Sequence, residues 1–508
     1  MLSSGENTEL NGEKKRSPRS AESEGNCCPS VKRKLIPAKL FYFFYFSSLG
    51  SLLPYLALYF KQLKLTPTQV GILMGLKPFV EFICTPLWGA VVDRFKMGKL
   101  VLLMSLLVAA LSQFSLSLVA PAERLCTLNT ISRSIKGRND SSYIATKHGN
   151  SSSYWGNFVF VSSILDDLPW PLTYTSKEME TPQTPNTAEL FTILLIIILF
   201  SNIISSPSLA LADTVTMQTL RPDVHLYGRQ RLWGSVGWGI ASFLVGVLVS
   251  VSHQCPNPFT KPSDISYMPC FGTFGVLMLL AVATSTKFKF AYDSEDEKVE
   301  DTGLMNNLKQ SVNIKYIVFL FTAYYFGILN AFTKTFLFWH LKDLGGTQLL
   351  FSIIAAVNCF AEVSLYLLSD KIITRMGHTR VIYLAAAGFT FRCSCYSFLS
   401  NPWLILPLEF MPGITNALAW VAMQSYVNEI SRNDNATTHQ GILCGFYRGL
   451  GYGCGEVFGG AMINFVGSGN AFKVFAIGAA FTFLANVFVE ELSQVKPVLK
   501  MLLMKVKE

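Results

Sequence analysis

Twelve stretches of about twenty mostly apolar residues recur along the chain, and no other feature limits the fold as severely. A helix needs about 20 such residues to cross the hydrocarbon layer, where every backbone N–H and C=O must be satisfied within the segment. The stretches begin near Lys39, Thr68, Lys99, Glu189, Gln230, Pro269, Ile314, Gln348, Val381, Trp403, Gly441 and Ala471. The expected fold class is an all-α polytopic membrane protein with twelve transmembrane helices. Charged residues make up only 15% of the 508 residues, against roughly a quarter in a soluble chain.

A net charge of +9 would suit a nucleic-acid partner, but the basic residues flank the apolar stretches. Segments 93–99, 213–230, 287–315 and 370–380 are rich in Lys and Arg, while the alternate connections carry few, such as Lys61, Lys64, Lys261 and Lys342. This bias places both termini in the cytosol. The chain then divides into a disordered cytoplasmic tail (1–37), helices one to three (38–120), an extracellular loop (121–188), helices four to six (189–287), a cytoplasmic linker (288–313), helices seven to twelve (314–492) and a second cytoplasmic tail (493–508). The extracellular loop holds Asn139-Asp-Ser and Asn150-Ser-Ser, both N-glycan acceptors. Cys255 and Cys270 bracket a later outside loop and either form a disulfide or remain thiols. No zinc-type cysteine spacing, phosphate loop or nucleophile motif is present, so neither a cofactor, a metal nor an enzyme activity is expected.

An internal repeat organises the helices. A shift of 281 residues carries Lys61 onto Lys342, Leu63 onto Leu344, Glu81 onto Glu362, Arg94 onto Arg375 and Lys99 onto Arg380. Later in each half, a shift of 217 carries Gly228, Arg231 and Gly234 onto Gly445, Arg448 and Gly451. The two shifts differ by about the excess length of the loop at 121–188, so the chain reads as two pseudo-symmetric six-helix bundles, one with an insertion. Parallel halves with a site between them are a transporter architecture.

Ionisable residues inside the apolar stretches mark substrate or ion pathways by default, because they are costly in hydrocarbon. Asp213, Arg231 and Trp238 surround the junction of the fourth and fifth stretches. Arg231 offers a planar fork of donors suited to hydroxyls or a carboxylate. Asp213 would neutralise it, and Trp238, two helical turns further on, offers an aromatic face to an apolar ring surface. The same residues also fit a structural salt bridge with Trp238 as packing. Lys77 and Glu81, four apart, would pair on one helix face as a structural or gating pair.

The loop Gly89-Ala-Val-Val-Asp93-Arg94-Phe-Lys96-Met-Gly98-Lys99 resembles the motif after the second helix in the major facilitator superfamily. Its degenerate copy runs from Asp370-Lys371 through Gly377 to Arg380. The resemblance implies that Asp93 and Arg94 gate the cytosolic side. The stretch Tyr227-Gly-Arg-Gln-Arg231-Leu-Trp-Gly234-Ser-Val-Gly237-Trp238 resembles the fifth helix of the lactose-permease type of proton symporter. By that likeness Asp213, Arg231 and Trp238 bind substrate. Arg392 and Glu362 resemble the ninth-helix arginine and eighth-helix glutamate that couple protons to sugar, and Glu409 could substitute for the tenth-helix His-x-x-Glu, which this chain lacks. The opening Leu49 to Tyr59 and the long insert resemble a vertebrate branch of the same superfamily.

The expected function is alternating-access transport of a small polar solute, sugar- or nucleoside-like, with protons as a further partner. The protein would be a monomer in the plasma membrane or an endomembrane. The alternative is a cell-surface receptor that engages an extracellular protein partner through the loop 121–188.

Overall fold

The computed structural model describes residues 35–119, 187–220, 227–252, 265–290, 314–430 and 436–505. The first half contains α1 (Ile36–Gln62), α2 (Pro67–Phe95), α3 (Gly98–Ser117), α4 (Thr187–Ser205), α5 (Ser208–Leu220), α6 (Tyr227–Val251) and α7 (Met268–Ser285). The second contains α8 (Ile314–Asp343), α9 (Gln348–Met376), α10 (His378–Ser397), α11 (Ala419–Ile430), α12 (Ala436–Cys444), α13 (Tyr452–Val466) and α14 (Ser468–Lys505). A 3-10 segment, Pro402–Phe410, and a π turn, Gly413–Leu418, lead into α11, and a second π turn, Gly445–Gly451, joins α12 to α13.

Among the described residues, ten helical stretches are long and apolar enough to cross a membrane, with α4 and α5 forming one, Thr187–Leu220. Two further crossings complete twelve: α10, and the run from α12 through α13. Both are more polar. The first carries Arg380 and Arg392, the second Arg448, Glu456 and a series of glycines. The helix α14 continues past residue 492 to Lys505, where the sequence suggested only a tail. Asn139, Asn150 and Cys255 lie outside the described residues.

The repeat extends to the backbone. Helix α9 begins and ends 281 residues after α2, from 67 to 348 and from 95 to 376. Thr66 and Thr347 hold the same offset, and each caps its helix by accepting a hydrogen bond from a backbone N–H three residues on. The left-handed residues match as well. Lys64 (φ 62°) corresponds to Gly345 (φ 85°), and Lys96 (φ 52°) to Gly377 (φ 85°). Glycine adopts this conformation without steric cost, and lysine replaces it in the first half at roughly 1 kcal/mol each.

The halves meet along α1 with α8, α2 with α13, and α6 with α9. Small residues permit the approach. A Cβ at Gly75 would lie 2.9 Å from the Gly453 carbonyl oxygen, and Gly246 faces Ser352. At one end of the bundle Lys61 closes α1 onto Asp343 of α8, and its ammonium lies 4.4 Å from the Trp339 ring centroid. Gln348 donates to Tyr267 Oη at 3.0 Å at the same end. At the opposite end, where Asp93 lies, the acid–base contacts among the described residues stay inside one half: Lys315 with Glu490 at 3.5 Å and His378 Nδ1 with Glu429 Oε2 at 2.9 Å. The bundle is therefore fastened across its halves at the Lys61 end and, among the described residues, is not bridged by ion pairs at the Asp93 end.

Candidate functional site

Helix α6 is seated on α1 by the glycines of its own motif. A Cβ at Gly234 would press on the Phe46 ring and one at Gly237 on the Phe43 carbonyl, and a Cβ at Gly50 would lie 2.7 Å from the Trp238 carbonyl oxygen. Glycine at these points lets two helix backbones run nearly in contact. That approach brings Arg231, in the first turns of α6, over α1. Its guanidinium carbon lies 4.4 Å from the Phe46 ring centroid and 5.4 Å from that of Tyr42.

Asp213 completes the cluster from α5. Arg231 Nη1 lies 3.5 Å from Asp213 Oδ1, and each side chain is 25% exposed. The carboxylate's shorter bond comes from Tyr42, whose Oη donates to the same Oδ1 at 2.6 Å. Tyr42 Oη is also 3.3 Å from Thr216 Oγ1, and its ring meets that of Tyr227 edge-on at 6.4 Å. Acid, base and phenol therefore share one half-open polar centre. The sequence-predicted pairing of Asp213 with Arg231 is present. Sequence reasoning misses Tyr42, although it lies in the aromatic run from Phe41 to Phe46. Trp238, two turns deeper on α6, is half-buried. The centre sits toward the Asp93 end, because Tyr42 is only six residues into α1. At 1.5 Å per residue that is about 9 Å.

The second half carries a separate polar network. Arg392, buried on α10, donates through Nε to Tyr396 Oη at 2.6 Å and through Nη1 to Thr415 Oγ1 at 3.4 Å. Tyr396 Oη donates in turn to Glu409 Oε1, and Asn358 Nδ2 donates to Glu409 Oε2 at 2.7 Å. Glu409 is wholly buried, with both oxygens satisfied. Glu362 takes a different partner, accepting from Asn416 Nδ2 at 2.9 Å. Arg392 and Glu362 thus occupy two adjoining networks and do not pair with each other. The reason is local: the π turn Gly413–Leu418 turns both Thr415 and Asn416 inward, one to each network.

Between the halves lie further ionisable residues. Lys77 and Glu81 pair at 3.8 Å on α2. Glu456 accepts from Thr335 Oγ1 at 3.1 Å, while its Oε2 is buried with no hydrogen-bond partner among the described residues. Asp93 and Arg94 are exposed, with no ion pair to any described residue. The fastening across the halves therefore lies at the other end. Cys270 is buried with a free thiol.

A model of the MFS_1 like family matches residues 35–474. Major facilitator superfamily domain-containing protein 6-like of Mus musculus is 21% identical over 514 residues, covering 85% of this chain and 86% of the mouse protein. The 6-like protein A of Xenopus laevis is 24% identical over 313 residues, 61% of this chain but only about half (49%) of the frog protein. Among solved structures, a D323A mutant of the nucleoside transporter NupG superposes with a TM-score of 0.66 at 14% identity, covering 89% of this chain and 99% of that one. That likeness establishes the fold.

Proposed function

The chain belongs to the MFS_1 like family, within the major facilitator superfamily, and on that footing we propose that it carries a small polar solute across a membrane by alternating access. The observation that carries this reading is the Tyr42–Asp213–Arg231 centre, a charged cluster one quarter open to solvent within membrane-spanning helices. An acid and a base that already neutralise each other can exchange their hydrogen bonds for those of a hydroxyl-rich solute without stranding a charge. Trp238 supplies an aromatic face two turns away. A sugar- or nucleoside-like solute fits this chemistry, and the NupG likeness, though of fold alone, is in keeping with it.

With the Lys61 end outside and the Asp93 end in the cytosol, as the charge bias implies, the conformation is closed outward and open inward. The Lys61–Asp343 pair is then the outer fastening, and Asp93 and Arg94 are poised to close the inner side in the opposite state. Glu362 carries the coupled proton, exchanging it as Asn416 engages and releases its carboxylate, and the Arg392–Tyr396–Glu409 network holds the neighbouring helices. The glycosylated loop belongs to the outer face in this topology.

Uptake into proteoliposomes across a panel of sugars, nucleosides and their carboxylated or phosphorylated derivatives, with and without a pH gradient, tests the reading. Uptake of at least one solute, abolished in Arg231→Ala with normal membrane expression, is expected. Undiminished uptake in that variant would remove the site.

A further inference from the structure

Two cations of the second half, Lys334 and Arg448, stand among buried neighbours with no carboxylate at ion-pair distance among the described residues. Every residue of α8 from Phe326 to Leu341 is buried except Lys334, which is exposed. Arg448, in the π turn between α12 and α13, is exposed between buried Tyr447 and Gly449. An exposed lysine in the middle of the most buried stretch of a membrane helix calls for a water-filled cleft beside it, because hydrocarbon would strand its charge. Neither cation has an acidic group within 4.0 Å among the described residues. Glu362 is the carboxylate within electrostatic reach of Lys334, and Asn416 holds it.

The two cations are joined by an aromatic floor. The Arg448 guanidinium lies 4.7 Å from the Trp420 ring centroid; the ring centroids of Trp420 and Tyr447 are 4.8 Å apart and those of Tyr447 and Tyr452 5.5 Å; and the Lys334 ammonium lies 6.0 Å from the Tyr452 ring centroid. The repeat sharpens the point, since Arg448 is the counterpart of Arg231 at the shift of 217. Arg231 has Asp213. The corresponding position in the second half is Ile430, and the adjacent carboxylate, Glu429, is taken by His378 at 2.9 Å. One half therefore neutralises its arginine internally and the other leaves the equivalent arginine open. A π turn re-aims side chains and recurs at functional sites, and one carries Arg448.

We propose that Lys334 and Arg448 seat an anionic group, a carboxylate or a phosphate, carried by the transported solute. This rests on the carrier reading above and narrows its substrate class to organic anions. The neutral part of the solute lies against Trp420 and Tyr452, and its hydroxyls reach toward the Asp213–Arg231 centre. A charged group in the membrane interior is stabilised by a partner, and here the solute is that partner.

The test reads the charge of the cleft without knowing the solute. Tyr366, half-buried, lies within electrostatic reach of Arg448, Tyr452, Glu362 and Arg231. The full chain carrying Tyr366→Cys is reconstituted in phosphatidylcholine vesicles, which excludes an anionic lipid as occupant. It is treated with anionic (sulfonatoethyl) or cationic (trimethylammonioethyl) methanethiosulfonate, and modification of the peptide that bears the introduced thiol is followed by mass spectrometry. Relative to the same pair of rates on free cysteine, the anionic reagent is expected to be favoured about tenfold, the low end of field focusing in a charged cleft. The preference should vanish with Lys334→Gln plus Arg448→Gln and persist with Lys334→Arg plus Arg448→Lys. A cationic preference, or one unchanged by the double Gln substitution, overturns the anion seat and leaves the carrier reading standing. Modification by neither reagent removes the aqueous cleft, and both readings with it.

Discussion

Tyr42 and Asp213 are joined by a 2.6 Å hydrogen bond between α1 and α5, shorter than the 3.5 Å contact that Arg231 makes with the same carboxylate oxygen. The phenol, not the guanidinium, fixes where that carboxylate points. A hydrogen bond to a charged group contributes about 1.5–3 kcal/mol. Tyr42→Phe is therefore expected to raise the KM for uptake roughly tenfold or more with little change in expression. Transport kinetics in proteoliposomes check this, and an unchanged KM would assign Tyr42 to packing alone.

Lys61 and Asp343 tie the halves at one end, but their side chains are 27% and 43% exposed. A pair this open is worth about 0.2–1 kcal/mol. Removing either residue should leave the fold intact and shift the conformational equilibrium up to about fivefold toward opening at that end. Solvent accessibility of a cysteine placed below the pair reports the shift, and exchanging the two residues (Lys61→Asp with Asp343→Lys) should reverse most of it.

Gly237 seats α6 against the Phe43 carbonyl. An added methyl group pushes the two backbones apart, and overpacking of this kind costs about 1–3 kcal/mol. Gly237→Ala should lower the melting temperature of the purified protein and weaken uptake together, since Arg231 moves with α6. Wild-type stability in this variant would contradict the close approach.

Glu362 and Glu409 separate by environment. Glu409 has both oxygens bonded and is wholly buried, whereas Glu362 is half-buried with a bond from Asn416. Glu362→Gln is expected to abolish the response of uptake to an imposed pH gradient while preserving expression. Glu409→Gln is expected chiefly to destabilise, because the amide keeps one acceptor oxygen where Tyr396 and Asn358 both donate, and its NH2 then faces a donor. Thermal stability and pH-driven uptake, measured on both variants, distinguish the roles.

Much of this is legible in the chain. The offset of 281 residues, visible at Lys61, Glu81 and Arg94, fixes the ends of α9 from those of α2. The pairing of Asp213 with Arg231 follows from motif spacing, because both lie on regular helices where spacing predicts the face. The partners of Arg392 and Glu362 do not follow. They depend on a π turn at Gly413–Leu418, which adds residues to a turn and breaks the 3.6-residue register on which such reasoning rests. Tyr42 is hidden for another reason. Six consecutive aromatic residues, 41–46, carry no periodicity that marks one as polar in function, and only the approach of α6 selects it.

The account turns on one site open to each side of the membrane in turn. Trp238→Cys, in oriented vesicles, can be challenged with a membrane-impermeant thiol reagent added to one side or the other, and modification of its peptide followed by mass spectrometry. Labelling from both sides, with a rate from the Lys61 side that rises when the Lys61–Asp343 pair is removed, is the predicted result. Labelling from one side only, whatever becomes of that pair, would contradict alternating access at this centre.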